Sequence, residues 1–255
     1  MENILFKIAE IKKAGQKAAF CIIVETKGSS PRKAGSKLLV FENGNIEGTI
    51  GGGSLEFKVI DDARKVMAQN HPVKFIYNLE EDLSMHCGGT AEVYIEPIVP
   101  NLILYIFGAG HIGKALAKYA SDFGFHICLV DHRNEMMDAK DITGVQLIHD
   151  DYIKAAQNLS FNENDFIVIV TPKHAYDEEV LAICAKKTFA YLGMIGSTRK
   201  VALARKRLVD GKILTAQELE KVDMPIGIKF NAQTPEEIAI SILAKLIDVK
   251  NSFNK

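Results

Sequence analysis

The chain has no excess of either charge. In 255 residues, 31 Lys+Arg stand against 32 Asp+Glu, a net charge of −1. Without a basic field to hold a phosphate backbone, nucleic-acid binding is not expected. Long apolar runs are missing too. No stretch approaches the roughly 18 uninterrupted apolar residues of a transmembrane helix, so no membrane association is expected. Met1-Glu2-Asn3 is acidic, and Lys7, Glu10, Lys12 and Lys13 soon follow, so no signal peptide is expected either. Cysteine is sparse: Cys21, Cys87, Cys128 and Cys184 lie far apart and form no CxxC pair. That excludes a disulfide scaffold and a zinc ribbon, and it points to a reducing cytoplasm. The histidines show no HExxH, and Gly52-Gly-Ser54-Leu-Glu56 lacks the second glycine of a nucleophile elbow. Internal repeats and low-complexity segments are absent. What is present is 47% apolar residues, enough to build a sizeable core in one large domain or two smaller ones.

Two halves read differently. In residues 1–98, Ile4, Leu5, Ile8 and Ile11 repeat at helical spacing. Phe20–Glu25, Lys37–Phe41 and Asn45–Ile50 read as strands, with Asn43-Gly44 as a hairpin turn whose two positions both need positive φ. Leu55, Val59, Ala63 and Val66 mark a helix after Gly53. Phe75–Leu79 and Glu92–Ile98 read as further strands, so this half is a small α+β domain. Pro97 and Pro100 flank a connector. In residues 101–250, apolar strands at Leu102–Phe107, His126–Val130, Val145–Ile148, Phe166–Val170 and Ala190–Met194 alternate with helices. That pattern specifies βαβ units and a Rossmann-type parallel sheet, so the fold class is α/β. Thr234-Pro-Glu-Glu237 supplies an N-cap, Pro at the first helical position and a capping-box acid for the last helix.

Gly108-Ala-Gly110-His111-Ile-Gly113 follows a strand and opens a helix, and Asp131 ends the next strand, 23 residues after Gly108. In this context Gly108 makes the tight turn and Gly110 admits a pyrophosphate. Gly113 lets helix and strand pack closely, and Asp131 accepts ribose hydroxyls. The alternative is a tight βα turn that binds nothing, and Arg133 nearby could serve a 2′-phosphate instead. Gly51-Gly52-Gly53 also lies between a strand and a helix. Each glycine destabilises a regular element by roughly 0.5–1 kcal/mol relative to Ala, so close approach of a ligand or tight packing must offset the cost. Gly28-Ser-Ser-Pro-Arg32 is a second polar loop. Met85-His86-Cys87-Gly88-Gly89 places a thiol beside glycines, where a thiolate could act as nucleophile or soft metal ligand, including to molybdenum. Cys21, Cys128 and Cys184 lie in apolar runs and read as core. His174, after the most apolar strand, is a candidate acid/base or hydrogen-bond donor, with Asp177 as the N-cap of the next helix. After the following strand, Ser197 reads as a helix cap. Arg199 and Lys200 either hold an anion or are solvated.

Taken in order, these motifs resemble the xanthine dehydrogenase accessory factor family (XdhC/CoxI). The resemblance runs from about Phe20 to Ile247. It is carried by Gly28–Arg32, Gly48–Gly53 with Glu56, Met85–Gly89, Phe107–His111, Asp131 with Arg133, Gly193–Ser197 with Arg199-Lys200, Pro225-Ile-Gly227 and Thr234–Ala239 with Ser241. The chain departs from the family pattern at Ser84, His132, Pro172-Lys173, Lys229, Asn231 and Lys245. The resemblance implies a cytoplasmic chaperone that binds molybdenum cofactor (molybdopterin) and protects it while an oxo ligand is exchanged for sulfur. Such a protein then delivers the cofactor to a molybdenum hydroxylase apo-enzyme. The implied partners are that hydroxylase and a cysteine desulfurase, and a homodimer is expected. Cys87 becomes the leading cofactor-contacting thiol and candidate molybdenum contact. Gly51, Gly52, Gly53, Gly108, Gly110, His111, Gly113, Asp131, His174, Ser197 and Arg199 become candidate cofactor-binding positions. No catalytic residue is assigned, because a carrier needs cavities and anion-binding backbone rather than an acid/base pair. Two alternatives remain open: an NAD(P)-dependent oxidoreductase, and a regulatory module that senses a nucleotide.

Overall fold

Hairpin-type patterning gives way to crossover-type patterning where the chain divides. Met1–Asn101 and Leu102–Lys255 form two compact units. The computed structural model describes residues 4–79, 89–136 and 144–252.

The first unit contains α1 (Ile4–Lys13), β1 (Ala18–Lys27), β2 (Lys37–Phe41), β3 (Ile46–Gly48), α2 (Gly53–Gln69), β4 (Val73–Asn78) and β5 (Thr90–Ile98). The strands form one sheet in the order β3-β2-β1-β5-β4, each neighbouring pair antiparallel. Alternation decides the faces. Ala19, Cys21 and Ile23 of β1, with Val93 and Ile95 of β5, pack with Leu55, Val59, Ala63 and Val66 of α2. On the opposite face, Ile11 of α1 joins Ala18, Leu39 and Ile98. The β2–β3 connection differs from the expected two-residue turn. Phe41 N–H bonds to the Asn45 carbonyl at 2.9 Å, and Gly44 alone in the loop has positive φ. The Asn43 side chain instead accepts from the Asn45 amide at 2.9 Å. A side-chain-stabilised loop thus replaces the primed turn.

The second unit contains β6 (Leu102–Phe107), α3 (His111–Ala120), β7 (Phe125–Asp131), β8 (Val145–His149), α4 (Tyr152–Asn158), β9 (Phe166–Ile169), α5 (His174–Cys184), β10 (Tyr191–Met194), α6 (Thr198–Asp210), α7 (Ala216–Glu220), β11 (Val222–Asp223) and α8 (Pro235–Ser252). Its six strands run parallel in the order β11-β10-β9-β6-β7-β8. This is the doubly wound Rossmann order, and its switch point lies between β6 and β9. The strands are apolar on both faces because helices cover both. Leu116, Ala117 and Ala120 of α3 and Ala239, Ile242 and Leu246 of α8 pack on one face. Residues of α4, α5, α6 and α7 pack on the other. The capping box of α8 forms as expected: Glu237 Oε2 accepts from the Thr234 amide at 3.1 Å, and the Glu237 amide donates to Thr234 Oγ1 at 3.2 Å. No helix among the described residues is long and apolar enough to cross a membrane.

Candidate functional site

The carboxyl end of the parallel sheet gathers most of the second unit's motif residues. Gly108 adopts φ +117, and a Cβ there would strike the Val170 carbonyl oxygen at the end of β9. A Cβ at Gly113 would overlap the Gly108 carbonyl oxygen, so this glycine fixes the close approach of α3 to its strand. Gly110 differs from both. It is the N-cap of α3 without a side-chain cap, and a Cβ there would meet nothing within 4 Å. Its open face lies at the amide end of a ten-residue helix, where an anion is favoured. His111 is exposed beside it.

Asp131 is buried, and its oxygens are engaged. Oδ2 accepts from the Ala109 amide at 2.8 Å and from Arg133 Nη2 at 2.7 Å. Oδ1 accepts from the Arg133 amide at 3.0 Å and from Arg133 Nε at 2.9 Å. Burial alone would raise the Asp131 carboxyl, but the hydrogen bonds from Arg133 and from these amides outweigh it and hold it well below the usual carboxylate range. The residue expected to receive ribose therefore clamps the glycine loop to Arg133. A ribose could reach its oxygens only by displacing that guanidinium. Beside the pair, His132, Tyr152 and Tyr176 form an aromatic cluster, with His132 edge-on to Tyr152 at a centroid separation of 5.0 Å.

The loops after β9 and β10 bring His174, Ser197 and Lys200 together. Ser197 caps α6 as expected and accepts from the Lys200 amide at 3.3 Å. Asp177 does not cap α5. The cap position is Lys173, and Asp177 sits inside the first turn, where His174 Nδ1 lies 3.2 Å from Oδ2. Lys200 Nζ lies 2.6 Å from His174 Nε2. Sequence reasoning missed this chain of contacts, although the His174-x-x-Asp177 spacing, one turn apart on a helix, was its visible signal. Arg199 is exposed and forms no ion pair with a described residue.

In the first unit, Gly51, Gly52 and Gly53 all have positive φ, which explains why three glycines stand in a row. Their loop is closed by an acid of the same chain. Glu56 Oε2 accepts from Thr49 Oγ1 at 2.7 Å, from the Ile50 amide at 3.1 Å and from the Gly52 amide at 3.2 Å. Gly51 packs against Pro31, and Gly89 against the carbonyls of Lys27 and Ser29. The Gly28–Arg32 loop is thus shared by the other two motif segments. Cys87, with Met85, His86 and Gly88, lies outside the described residues. Leu79 and Gly89, which bracket that segment, are tied by an amide–carbonyl bond of 2.9 Å. Cys21, Cys128 and Cys184 are buried, and burial pushes their thiols up to about 12, about 11 and about 12. They are inert core residues, as expected. Among the described residues, no cluster of three His, Cys, Asp or Glu side chains has metal-binding geometry.

Comparison with known proteins gives two family models in chain order. One, described as the XdhC and CoxI family, matches residues 11–78. The other, described as the XdhC Rossmann domain, matches residues 104–246. A relative from Escherichia coli strain K12, YqeB, described only as uncharacterized, is 32% identical over 98% of this chain and 47% of its own length. A Bacillus subtilis strain 168 protein, described as a probable subunit of xanthine dehydrogenase, is 28% identical over 65% of this chain and 48% of its own. The chain therefore spans about half the length of the curated relatives it matches. A solved structure described as a xanthine dehydrogenase from Bacillus halodurans shares the fold, with TM-score 0.54 at 23% identity over 97% of this chain and 96% of that one.

Proposed function

The chain belongs to the XdhC/CoxI family, and from that premise we propose an accessory role toward a xanthine dehydrogenase-type molybdenum hydroxylase. In this reading the protein binds molybdenum cofactor, protects it during sulfuration and delivers it to the apo-enzyme. The description of the Bacillus subtilis relative supports the link to xanthine dehydrogenase. The observation that carries the binding reading is Gly110, the uncapped N-cap of α3, with open space where a side chain would stand. A phosphate at that helix end meets backbone donors without desolvating any side chain. Arg199, exposed at the carboxyl end of the same sheet, can balance its charge. Cys87 supplies the soft ligand, a thiolate that suits molybdenum better than it suits a hard ion such as magnesium. The sulfur donor is a cysteine desulfurase, the recipient is the hydroxylase, and the carrier acts as a homodimer.

The test is anaerobic purification followed by molybdenum and pterin analysis. The expected result is cofactor that co-purifies with the wild type and is lost from Cys87→Ala. Wild-type protein that holds neither molybdenum nor pterin after co-expression with the cofactor pathway would overturn the reading.

The Rossmann strand order and glycine loop also favour a second reading, an NAD(P)-dependent oxidoreductase. The engagement of Asp131 by Arg133 weighs against it, because the ribose acceptor is already occupied. A rise in NADH fluorescence on titration, with oxidation in the presence of a substrate, would favour the oxidoreductase over the carrier.

A further inference from the structure

At the carboxyl end of β9 and β10, one chain of titratable groups is tied together more closely than helix capping requires. Asp177 is 1% exposed. Its Oδ1 accepts from the Thr171 amide at 3.0 Å and from the Thr171 hydroxyl at 2.6 Å. Its Oδ2 faces His174 Nδ1 at 3.2 Å. On the other side of the ring, Lys200 reaches across from α6 to His174 Nε2 at 2.6 Å. An ammonium has only donors, so Nε2 must present its lone pair and Nδ1 must carry the hydrogen toward Asp177. Among the described residues, the charged groups within hydrogen-bonding range of the imidazole are Asp177 from its own helix and Lys200 from α6. Burial raises the proton affinity of Asp177, while the bonds from Thr171 and His174 pull it the other way.

We propose that His174 and Lys200 form a binding site for a phosphoryl group, a phosphate monoester or terminal phosphate, and that His174 takes a proton from it. In the resting protein the ammonium occupies the imidazole lone pair, a contact that a stronger acceptor can displace. Both groups sit at the amide ends of helices, and exposed Arg199 precedes Lys200 in the chain. When the ligand monoanion arrives, Lys200 turns from Nε2 to a phosphate oxygen. The freed lone pair takes the proton of the P–OH group, so an O–H bond breaks and an N–H bond forms. The ligand becomes a dianion held between ammonium and imidazolium. The imidazolium charge is balanced by Asp177, which acts as a positioning residue held in turn by Thr171. No electrons move, and no further reactant is needed. This inference rests on the carrier reading and adds to it a second place at the sheet edge, besides Gly110, that receives a phosphoryl group.

The experiment uses the full chain with 15N-labelled histidine and inorganic phosphate as the probe. Phosphate is expected to move the His174 Nε2 resonance from the lone-pair-bearing to the protonated range, while chloride at equal ionic strength does not. Lys200→Met, a change at an exposed position, should weaken phosphate binding about tenfold or more, the scale of a hydrogen bond to a charged group. His174→Gln should bind phosphate with similar loss. Asp177→Asn, which removes the charge that balances the imidazolium, should leave the resting tautomer in place, held by Lys200, but keep the Nε2 resonance in the lone-pair-bearing range when phosphate is added. An Nε2 resonance unmoved by phosphate, or Lys200→Met binding as tightly as the wild type, would overturn the proposal. A full shift of the Nε2 resonance on phosphate addition to Asp177→Asn would likewise overturn it. Phosphate bound at His174 in a protein that carries no pterin separates this inference from the carrier reading. Pterin bound with an unmoved resonance separates them in the opposite direction.

Discussion

Arg133 meets Asp131 through a two-pronged contact, Nη2 to Oδ2 at 2.7 Å and Nε to Oδ1 at 2.9 Å. The carboxylate is buried, and it also holds the Ala109 amide of the glycine loop. A forked guanidinium on a buried carboxylate is strongly coupled, and removing one partner leaves the other charge without compensation. Arg133→Met is therefore expected to destabilise the protein by roughly 3–5 kcal/mol, read from urea unfolding at pH 7. The sign of the pH dependence follows from the depressed Asp131 carboxyl. Its stabilising contribution is present above the ordinary aspartate range and is lost as pH falls below it. The wild type should lose more stability than Arg133→Met on going from pH 6 toward pH 3, and parallel curves would contradict the pairing.

Asp165 has the opposite bias. It is buried just ahead of β9, with Oδ2 accepting from the Asn162 amide at 2.7 Å and Oδ1 without a hydrogen-bond partner among the described residues. Burial pushes its carboxyl up to about 6. A raised folded-state value means the contribution is fully present below the unfolded value near 4 and is lost as pH rises through about 6. The difference corresponds to about 3 kcal/mol across that window. Asp165→Asn should therefore raise stability at pH 8 by up to that amount and make no difference near pH 3.5. Thermal unfolding scanned from pH 3.5 to pH 8 checks it, and equal stability at pH 8 would contradict it.

Much of this was legible in the sequence, and the failures share a cause. The roles of Gly108 and Gly113 could be read because a strand, a helix and an acid flank them at fixed spacing. The α8 capping box could be read because Thr234, Pro235 and Glu237 are neighbours in the chain. What escaped notice depends on partners brought together by the fold. β11 is two residues long and exists only because Leu192 and Gly193 pair with it. Lys200 reaches His174 from 26 positions away. Spacing identifies Asp131 but not the Arg133 guanidinium that forks onto it. Glu56 was visible as a motif residue, yet nothing local says that its carboxylate turns back onto the glycine amides.

That last contact yields a third prediction. Glu56 satisfies the amides of Ile50 and Gly52 ahead of α2, a cap contributed from within the helix. Glu56→Ala should cost about 1 kcal/mol, the usual loss for a missing N-terminal cap. Glu56→Gln, which keeps one acceptor oxygen, should recover most of it. Denaturant midpoints of the three proteins decide the matter, and a neutral Glu56→Ala would show that water replaces the carboxylate without loss.

Thiol reactivity tests the packing of both units in one experiment. Cys21 lies between the first sheet and α2, while Cys128 and Cys184 lie in the core of the parallel sheet. All three thiols are raised by burial, so neither the thiolate nor a path for reagent is present in the folded state. Iodoacetamide at pH 7.5 should leave these three unmodified in the native protein and label them all in urea, read by peptide mass spectrometry. If the Cys87 thiolate is the soft ligand, its labelling in native buffer should fall when cofactor is bound. Labelling of Cys21 in native buffer would mean that α2 separates from its sheet. Labelling of Cys87 that bound cofactor leaves unchanged would take the thiol out of the binding site.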